Sequence, residues 1–297
     1  MDRDLEKNRK AGRIIKELKE EMKERIDVGS PLRNIAEFVE ESIVERGAHP
    51  AFPCNVSLNN IAAHYTPSPD DESVISRGDL VKVDIGVHID GFIADSAFTV
   101  DFGENRNLVK AADKALSKGI EIINREGSGV KISKISSAIE DEINKHGFKP
   151  IANLSGHLLE RWTTHASPSI PNVSVPTKDK LKEGDVVAIE PFVTNGSGRV
   201  KEGDNSQIFS CMDESPRIRD RASRKIMENV IEEYKTLPFA KRWISSLDIK
   251  RSEFALRKLV RSNILREYPP LKEIDDGDVA QSENTLIVKE DGCEIIT

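Results

Sequence analysis

Asp84 and Asp95 stand in a stretch, VKVDIGVHIDGFIADSA (81–97), that otherwise reads as two runs of β-branched and apolar residues joined by His88-Ile89-Asp90-Gly91. Asp-Gly between two such runs marks a tight hairpin connection. Folding about the Ile89–Asp90 peptide sets residues whose numbers sum to 179 face to face, which puts Asp84 directly opposite Asp95. Like charges so placed repel, with their Cβ atoms roughly 4.5–5.5 Å apart. Either both acids are exposed at a solvated turn, or cations lie between them. Two divalent ions about 3.5–4 Å apart, as in two-metal hydrolytic sites, fit that gap.

The rest of the chain favours cations. Gly78-Asp79-Leu80-Val81-Lys82-Val83-Asp84 is echoed by Gly184-Asp185-Val186-Val187-Ala188-Ile189-Glu190 and, in outline, by Gly277-Asp278-Val279-Ala280-Gln281-Ser282-Glu283. In each, an acid follows the glycine by six positions. Strand side chains alternate faces, so a common offset puts each acid on the same side of its strand relative to the entering turn. Each acid also interrupts a run that looks buried, and an unpaired buried carboxylate is very costly. The first two copies suggest a duplicated half-domain; the third matches only in outline. Asp84, Asp95, Glu190 and Glu283 with one imidazole, His157, balance two divalent ions, and carboxylate-rich ligation with one His suits Mn, Fe, Co or Zn without choosing among them. Such a pair bridges and deprotonates a water near neutral pH and polarises a carbonyl, so metal-assisted hydrolysis is the implied chemistry.

The elements that must position these groups alternate between helical and strand patterns. Leu5, Ile14, Ile15, Leu18, Met22 and Ile26 recur at helical spacing among strong helix formers and predict a first long helix near 4–26. Ser30 is placed to cap a second helix, with Pro31 in its first turn, running from Leu32 to Arg46 and ended by Gly47. Ala51–Asp71 carries two strand-like pieces, a surface loop around Pro67 and Pro69, and His64; a single His in such a segment, taken alone, reads as structural. After the hairpin, helices are predicted from Glu104 to about Glu126 and from about Ser133 to Lys145.

Composition limits the class. The 297 residues, 37% apolar, with a mean hydropathy of −0.45, suit a large core, and no window approaches the ~18 uninterrupted apolar residues of a membrane span. The charged N-terminus lacks the apolar centre of a secretory signal, which predicts a cytoplasmic chain. Three widely spaced cysteines, Cys54, Cys211 and Cys293, read as packing residues in a reducing compartment. Net charge −7 argues against DNA or RNA as the main ligand of the whole chain, and 32% charged residues suit a heat-tolerant protein.

VKVDIGVHIDGFIADSA, SGHLLERWTTHA (155–166), VVAIEPF (186–192) and VAQSENTLIV (279–288) resemble, in order and approximate spacing, the metal-ligand segments of the methionine aminopeptidases. Ala51–Asp71 and the long segment between Glu190 and Glu283 are similar to the type 2 branch of that family. The resemblance runs nearly end to end. It implies an α+β pita-bread fold, two halves related by a pseudo-twofold axis around a dinuclear site, and removal of the initiator methionine from nascent chains. It also implies metal ligation by Asp84, Asp95, His157, Glu190 and Glu283, with Asp95 and Glu283 bridging, and a proton-shuttle role for Glu190. His64 then matches a histidine at the scissile region, and His165 one that stabilises the tetrahedral intermediate. Phe52, Tyr268 and Ile208 are the expected methionine pocket, thioether against aromatic rings. Three positions depart from the family: Asn284 stands where His usually follows the final ligand, Ser167 replaces a usual glycine, and Thr164 a common aliphatic residue.

Residues 213–268 resemble the family's helical, winged-helix-like insert, leaving 1–212 and 269–297 as the catalytic domain. The insert carries fourteen Lys and Arg against nine Asp and Glu, a net of +5, which leaves −12 elsewhere. A contact with ribosomal RNA near emerging chains is one reading of that charge, and a solvated helical face is the other. Among competing functions, prolidase-like or aminopeptidase P-like enzymes share fold and ligands but usually carry an extra N-terminal domain, whereas about eighty residues precede Asp84 here. A noncatalytic binder on this fold would be expected to lose ligands, and none is missing. Few features suggest a dimer seam, so a monomer is expected.

Overall fold

The computed structural model describes residues 2–245, 247, 249 and 251–297. Four helices frame it: α1 (Asp2–Arg25), α2 (Leu32–Glu45), α3 (Arg106–Glu126) and α4 (Ile132–Lys145). α1 lays Ala11, Ile14, Ile15, Leu18 and Met22, all buried, against the long hairpin Leu80–Ile89/Phe92–Asp101. α3 and α4 cover the second half through Leu108, Ala112, Ala115, Ile123, Ile135 and Ile139. The two β layers are the hairpin extended by Asn55–Leu58, and a five-stranded antiparallel sheet built from Gly292–Ile295, Asn284–Lys289, Val186–Ile189, Ser155–Glu160 and Thr163–Pro171.

The duplication read from the sequence is real in three dimensions for its first two copies. Gly29 N–H donates to Ile75 O at 2.7 Å, and Gly129 N–H to Leu181 O at 2.7 Å. Pro31 bridges to Val74 just before α2, and Lys131 to Lys180 just before α4. Asp79 and Asp185 each accept the N–H of the residue three before them, at 2.7 Å, closing the same turn into each acid-bearing strand. Both turns need a positive φ, 98° at Gly78 and 87° at Gly184. The third copy does not share this backbone. Gly277 has no positive φ, a Cβ there would lie 2.4 Å from Gly196 Cα, and Glu283 lies just outside the strand Val279–Gln281.

Two local expectations change. The hairpin turns about the Asp90–Gly91 peptide, with φ of 53° and 83°, so facing residues sum to 181 and not 179: Asp84 faces Ala97, and Asp95 faces Gly86. Both central residues of such a two-residue turn take positive φ, a role Asp-Gly fills better than Ile-Asp. The parity of the register is unchanged, so both acids still share one face, now as a diagonal pair. Ser30 does not cap α2; its hydroxyl accepts from Asp27 N–H at 3.2 Å, and Pro31, extended at ψ 131°, holds the N-cap position.

The segment after Cys211 builds its own apolar cluster. α5 (Arg221–Asn229), α6 (Lys241–Ser245) and α7 (Ser252–Arg261) contribute Ile226, Met227, Ile244, Leu256 and Leu259, which pack with Phe209, Cys211 and Leu265. Its sheet sets Ile208–Cys211 between Phe239–Ala240 and Leu265–Tyr268. A buried ion pair ties this unit to α2: Arg242 donates to Glu40, Thr66 Oγ1 and Pro67 O, while Trp243 Nε1 donates to the other Glu40 oxygen at 2.8 Å. Glu40 also accepts from Cys54 N–H at 3.0 Å, which fixes the chain entering the site wall.

Candidate active site

The two β layers meet over a cavity of about 330 Å³. Asp84 and Asp95 reach it from the hairpin, Glu190 from the end of Val186–Ile189, and His157 from Ser155–Glu160; Glu283 packs against them from the turn before Asn284–Lys289. Ligand atoms of Asp95, His157 and Glu283 all lie within 4.8 Å of one another, and so do those of Asp84, Glu190 and Glu283. Glu283 belongs to both groups. Asp84 and Asp95 have carboxyl groups close enough to share a proton.

Burial, with little help from compensating partners, dominates their electrostatics. It pushes Asp84 up to about 7. It also raises Asp95, Glu190 and Glu283 well above the carboxylate range, and each is raised further by the others' charge. Four oxygens, Asp84 Oδ1, Asp95 Oδ1 and both of Glu283, are buried with no hydrogen-bond partner. Such oxygens are rare unless an ion completes them. His157 places Nδ1 3.3 Å from Leu158 O, which assigns the proton to Nδ1 and turns the Nε2 lone pair toward Asp95 Oδ2, 3.9 Å away. Burial holds that imidazole neutral, its pKa down to about 3, as a metal ligand requires. Oxygen-rich donors, one neutral imidazole and unpartnered oxygens facing one another fit a pair of divalent ions.

The pseudo-twofold axis runs through this cluster. The register that pairs Leu80 with Asp101 recurs where Val186 pairs with Ile287, so Asp84 corresponds to Glu190, Thr99 to Thr285, and Asp95 to Gln281. The hydrogen bonds follow the same mapping. Thr285 Oγ1 accepts from Asp95 N–H at 2.8 Å and donates to Asp95 O at 2.7 Å. Thr99 Oγ1 accepts from Gln281 N–H at 2.9 Å and donates to Gln281 O at 2.6 Å. Asp95 contacts Asp84, and Gln281 Nε2 donates to Glu190 Oε1 at 2.8 Å. Gln281 was missed in the sequence because a neutral amide beside an acid carries no metal-ligand signal; its place in the third Gly-Asp segment was the only hint.

The other expected residues converge on the same cavity. Phe52, Ile208 and Tyr268 line it, with Ile208 and Tyr268 paired across adjacent strands. Phe52 lies flat against Gly86, the residue opposite Asp95, where any Cβ would sit 2.2 Å from the ring. His64 and His165 both neighbour Tyr268, with ring centroids 5.6 and 6.5 Å from it, and His165 is 4.6 Å from His157. Burial lowers both to about 4, so both are neutral. His64 adopts φ 63°, its ring is bonded to the Pro269 backbone, and Nδ1 remains buried without a partner.

The three departures acquire surroundings. Asn284 Oδ1 accepts from Lys19 Nζ at 3.0 Å, and Lys19 also donates to Ser96 Oγ at 2.7 Å, which in turn donates to Glu283 O at 2.5 Å. A lysine of α1 thus supports the backbone of Glu283 from behind, an arrangement invisible in a sequence separation of more than 260 residues. Thr164 is buried with Oγ1 3.5 Å from His165 Nδ1, and Ser167 lines the cavity.

Residues 6–290 match metallopeptidase family M24. The chain belongs to that family. It is 48% identical to a methionine aminopeptidase of Archaeoglobus fulgidus over 98% of both chains, and 46% identical to one of Pyrococcus abyssi over 99% of both. Among solved structures, the M24 fold here superposes on a thermophilic Arx1 with a TM-score of 0.86 at 20% identity, covering all of this chain and 91% of that one. A methionine aminopeptidase of Thermotoga maritima gives 0.72 at 24% identity, covering all of this chain and 97% of that one. A prolidase of Pyrococcus furiosus gives 0.62 at 18% identity, and the chain spans 64% of its length. The expected pita-bread fold of M24 peptidases is therefore the fold observed, and the enzyme is a metallopeptidase. Among the described residues no helix is long and apolar enough to cross a membrane.

Proposed function

We propose that this M24 peptidase is a methionyl aminopeptidase, hydrolysing the peptide bond after an N-terminal methionine of nascent proteins and peptides. The reading is carried by the convergence of Asp84, Asp95, His157, Glu190 and Glu283 at the base of a cleft walled by Phe52, Ile208 and Tyr268. The end-to-end similarity to archaeal methionine aminopeptidases supports it.

Asp84, Asp95, His157, Glu190 and Glu283 would hold two divalent ions, Co, Mn, Fe or Zn, whose +4 matches the four carboxylates. Bound there, the ions supply an activated water and a polarised scissile carbonyl. Glu190 moves the proton: Oε1 is occupied by the Gln281 amide, which leaves Oε2 to take a proton from the water and return it to the departing amine. His165, neutral, donates an N–H to the carbonyl oxygen as negative charge develops there. His64 presents the unpartnered Nδ1 lone pair as acceptor for a substrate N–H near the scissile bond. The cleft ends at buried carboxylates, so only the end of a chain reaches them, and a single residue is removed.

Residues 1–212 with 269–297 form the catalytic unit and 213–268 the insert in this reading, supported by the insert's separate apolar cluster, although Phe209 and Cys211 also pack into it. The three free cysteines agree with the reducing, cytoplasmic setting expected. The insert's net charge of +5 supports contact with ribosomal RNA. Salt-sensitive cosedimentation with ribosomes tests that contact, and binding that survives neutralisation of those lysines and arginines overturns it.

The activity is tested by chelating the protein, restoring single metals, and measuring methionine released from Met-Ala-Ser against proline-containing peptides. Metal-dependent release from Met-Ala-Ser is expected; its absence with every metal overturns the reading.

A further inference from the structure

The cleft is bipolar. Its base holds Asp84, Asp95 and Glu190, and its one strongly basic lining residue is Arg266, which is exposed. Arg266 and Tyr268 sit two apart on the strand Leu265–Tyr268, so their side chains share a face. Tyr268 stands beside His64 and His165, and Arg266 is displaced along the strand by about 6.6 Å. The guanidinium lies 5.1 Å over the Tyr268 ring. No carboxylate among the described residues pairs with it, whereas Lys241 and Arg257 of the insert both pair with Glu253. The groups that face it are His64 and His165, both neutral, and its positive charge helps keep them so.

A substrate whose amino end reaches the carboxylates has its scissile bond beside His64, His165 and Tyr268 and leaves through the mouth. The backbone of Arg266 lies about 6.6 Å, two residues of extended chain, further along the strand, so its guanidinium, swinging out from over the Tyr268 ring, reaches the third and fourth residues of the substrate. We infer that Arg266 is a specificity-determining residue that favours substrates with a carboxylate side chain at the third or fourth position. This rests on the aminopeptidase reading above. An unpaired guanidinium over an aromatic ring, at the mouth of a cleft otherwise lined by neutral groups outside its base, is preorganised to receive a carboxylate.

The test compares kcat/KM for C-terminally amidated Met-Ala-Ser-Ser, Met-Ala-Asp-Ser, Met-Ala-Ser-Asp and Met-Ala-Lys-Ser with the metal-restored enzyme and its R266Q and R266E variants. Amidation removes the terminal carboxylate, and the free-acid form of Met-Ala-Ser-Ser, assayed beside it, separates terminal from side-chain recognition. One or both Asp peptides are expected to exceed the Ser peptide by ~2- to 5-fold, the range of an exposed ion pair, mainly through KM. The preference disappears in R266Q, turns toward the Lys peptide in R266E, and shrinks as salt is raised. Equal rates in the parent enzyme, or a preference unchanged in R266Q, would overturn the inference while leaving the activity intact. No methionine release from any peptide would overturn the activity itself, and this inference with it.

Discussion

Gln281 occupies the position that the pseudo-twofold axis derives from Asp95. Thr99 brackets the Gln281 backbone as Thr285 brackets that of Asp95, and the Gln281 amide contacts Glu190 as the Asp95 carboxylate contacts Asp84. The two halves therefore present the same scaffold with different side chains: a carboxylate that remains available to an ion in one, and an amide that orients a carboxylate in the other.

Gln281→Glu exchanges the donor to Glu190 Oε1 for a repelling acceptor. The expected result is a loss of ~10- to 100-fold in kcat or metal affinity, the usual effect of removing a group that orients a ligand. Titration calorimetry of the restored metal and steady-state kinetics measure both. Unchanged affinity together with unchanged kcat would show that Glu190 is held without the amide.

Asp95→Asn removes one of four buried acids. Because the folded-state pKa of Asp95 lies above its unfolded value, its neutral form favours the metal-free fold at low pH, and that contribution is lost as pH rises. In the presence of chelator the variant is therefore expected to match the parent only toward pH 4, where the unfolded carboxyl is also protonated, and to exceed it by about 1–3 kcal/mol at pH 8, with metal binding and activity abolished. Denaturant unfolding at both pH values, with metal content by atomic absorption, checks this. Near-normal turnover would return the hairpin to being a turn.

Arg242→Met leaves Glu40 buried beside α2 without its counter-charge, a loss of about 3–5 kcal/mol. Glu40→Gln in the same chain keeps an acceptor for Cys54 N–H and is expected to recover at least half of that. Equilibrium unfolding of the single and double variants measures the coupling; additive losses would mean that the pair contributes nothing as a pair.

Lys82 is fully buried, with Nζ donating to Asn59 O at 2.9 Å and Leu80 O at 3.4 Å. Burial lowers its pKa from 10.5 to about 7, with Asp278 and Asp79 opposing. The unfolded chain binds more protons across that window, so this residue's contribution to stability rises with pH from about 7 to 10.5. Lys82→Met is expected to be more stable than the parent by about 1–3 kcal/mol at pH 7, with the gap closing toward pH 10. Chemical unfolding at pH 7 and 9.5 reads the difference, and a gap independent of pH would show that the ammonium is compensated.

Local patterns in the chain determined much of this protein. Apolar spacing set α1 to α4 within one or two residues at most ends, and the Gly-Asp turn with an acid six positions on marked Asp84 and Glu190, because both are consequences of backbone geometry over a few residues. The hairpin marked Asp95, the third Gly-Asp segment Glu283, and the family motifs His157, His64 and His165, all of which reach one cavity or its base. Tertiary structure alone decided the rest. The hairpin register depended on which two residues accepted positive φ. The third Gly-Asp segment matched in letters but not in backbone: Gly277 lacks the positive φ of Gly78 and Gly184 and lies tight against Gly196. Gln281 on Glu190, Lys19 on Asn284 and Ser96, and Arg266 over Tyr268 join residues whose chemistry is ordinary until the fold brings them beside a charge. A carboxylate cluster announces itself by its own cost, whereas the groups that orient it have none to reveal before the two halves close.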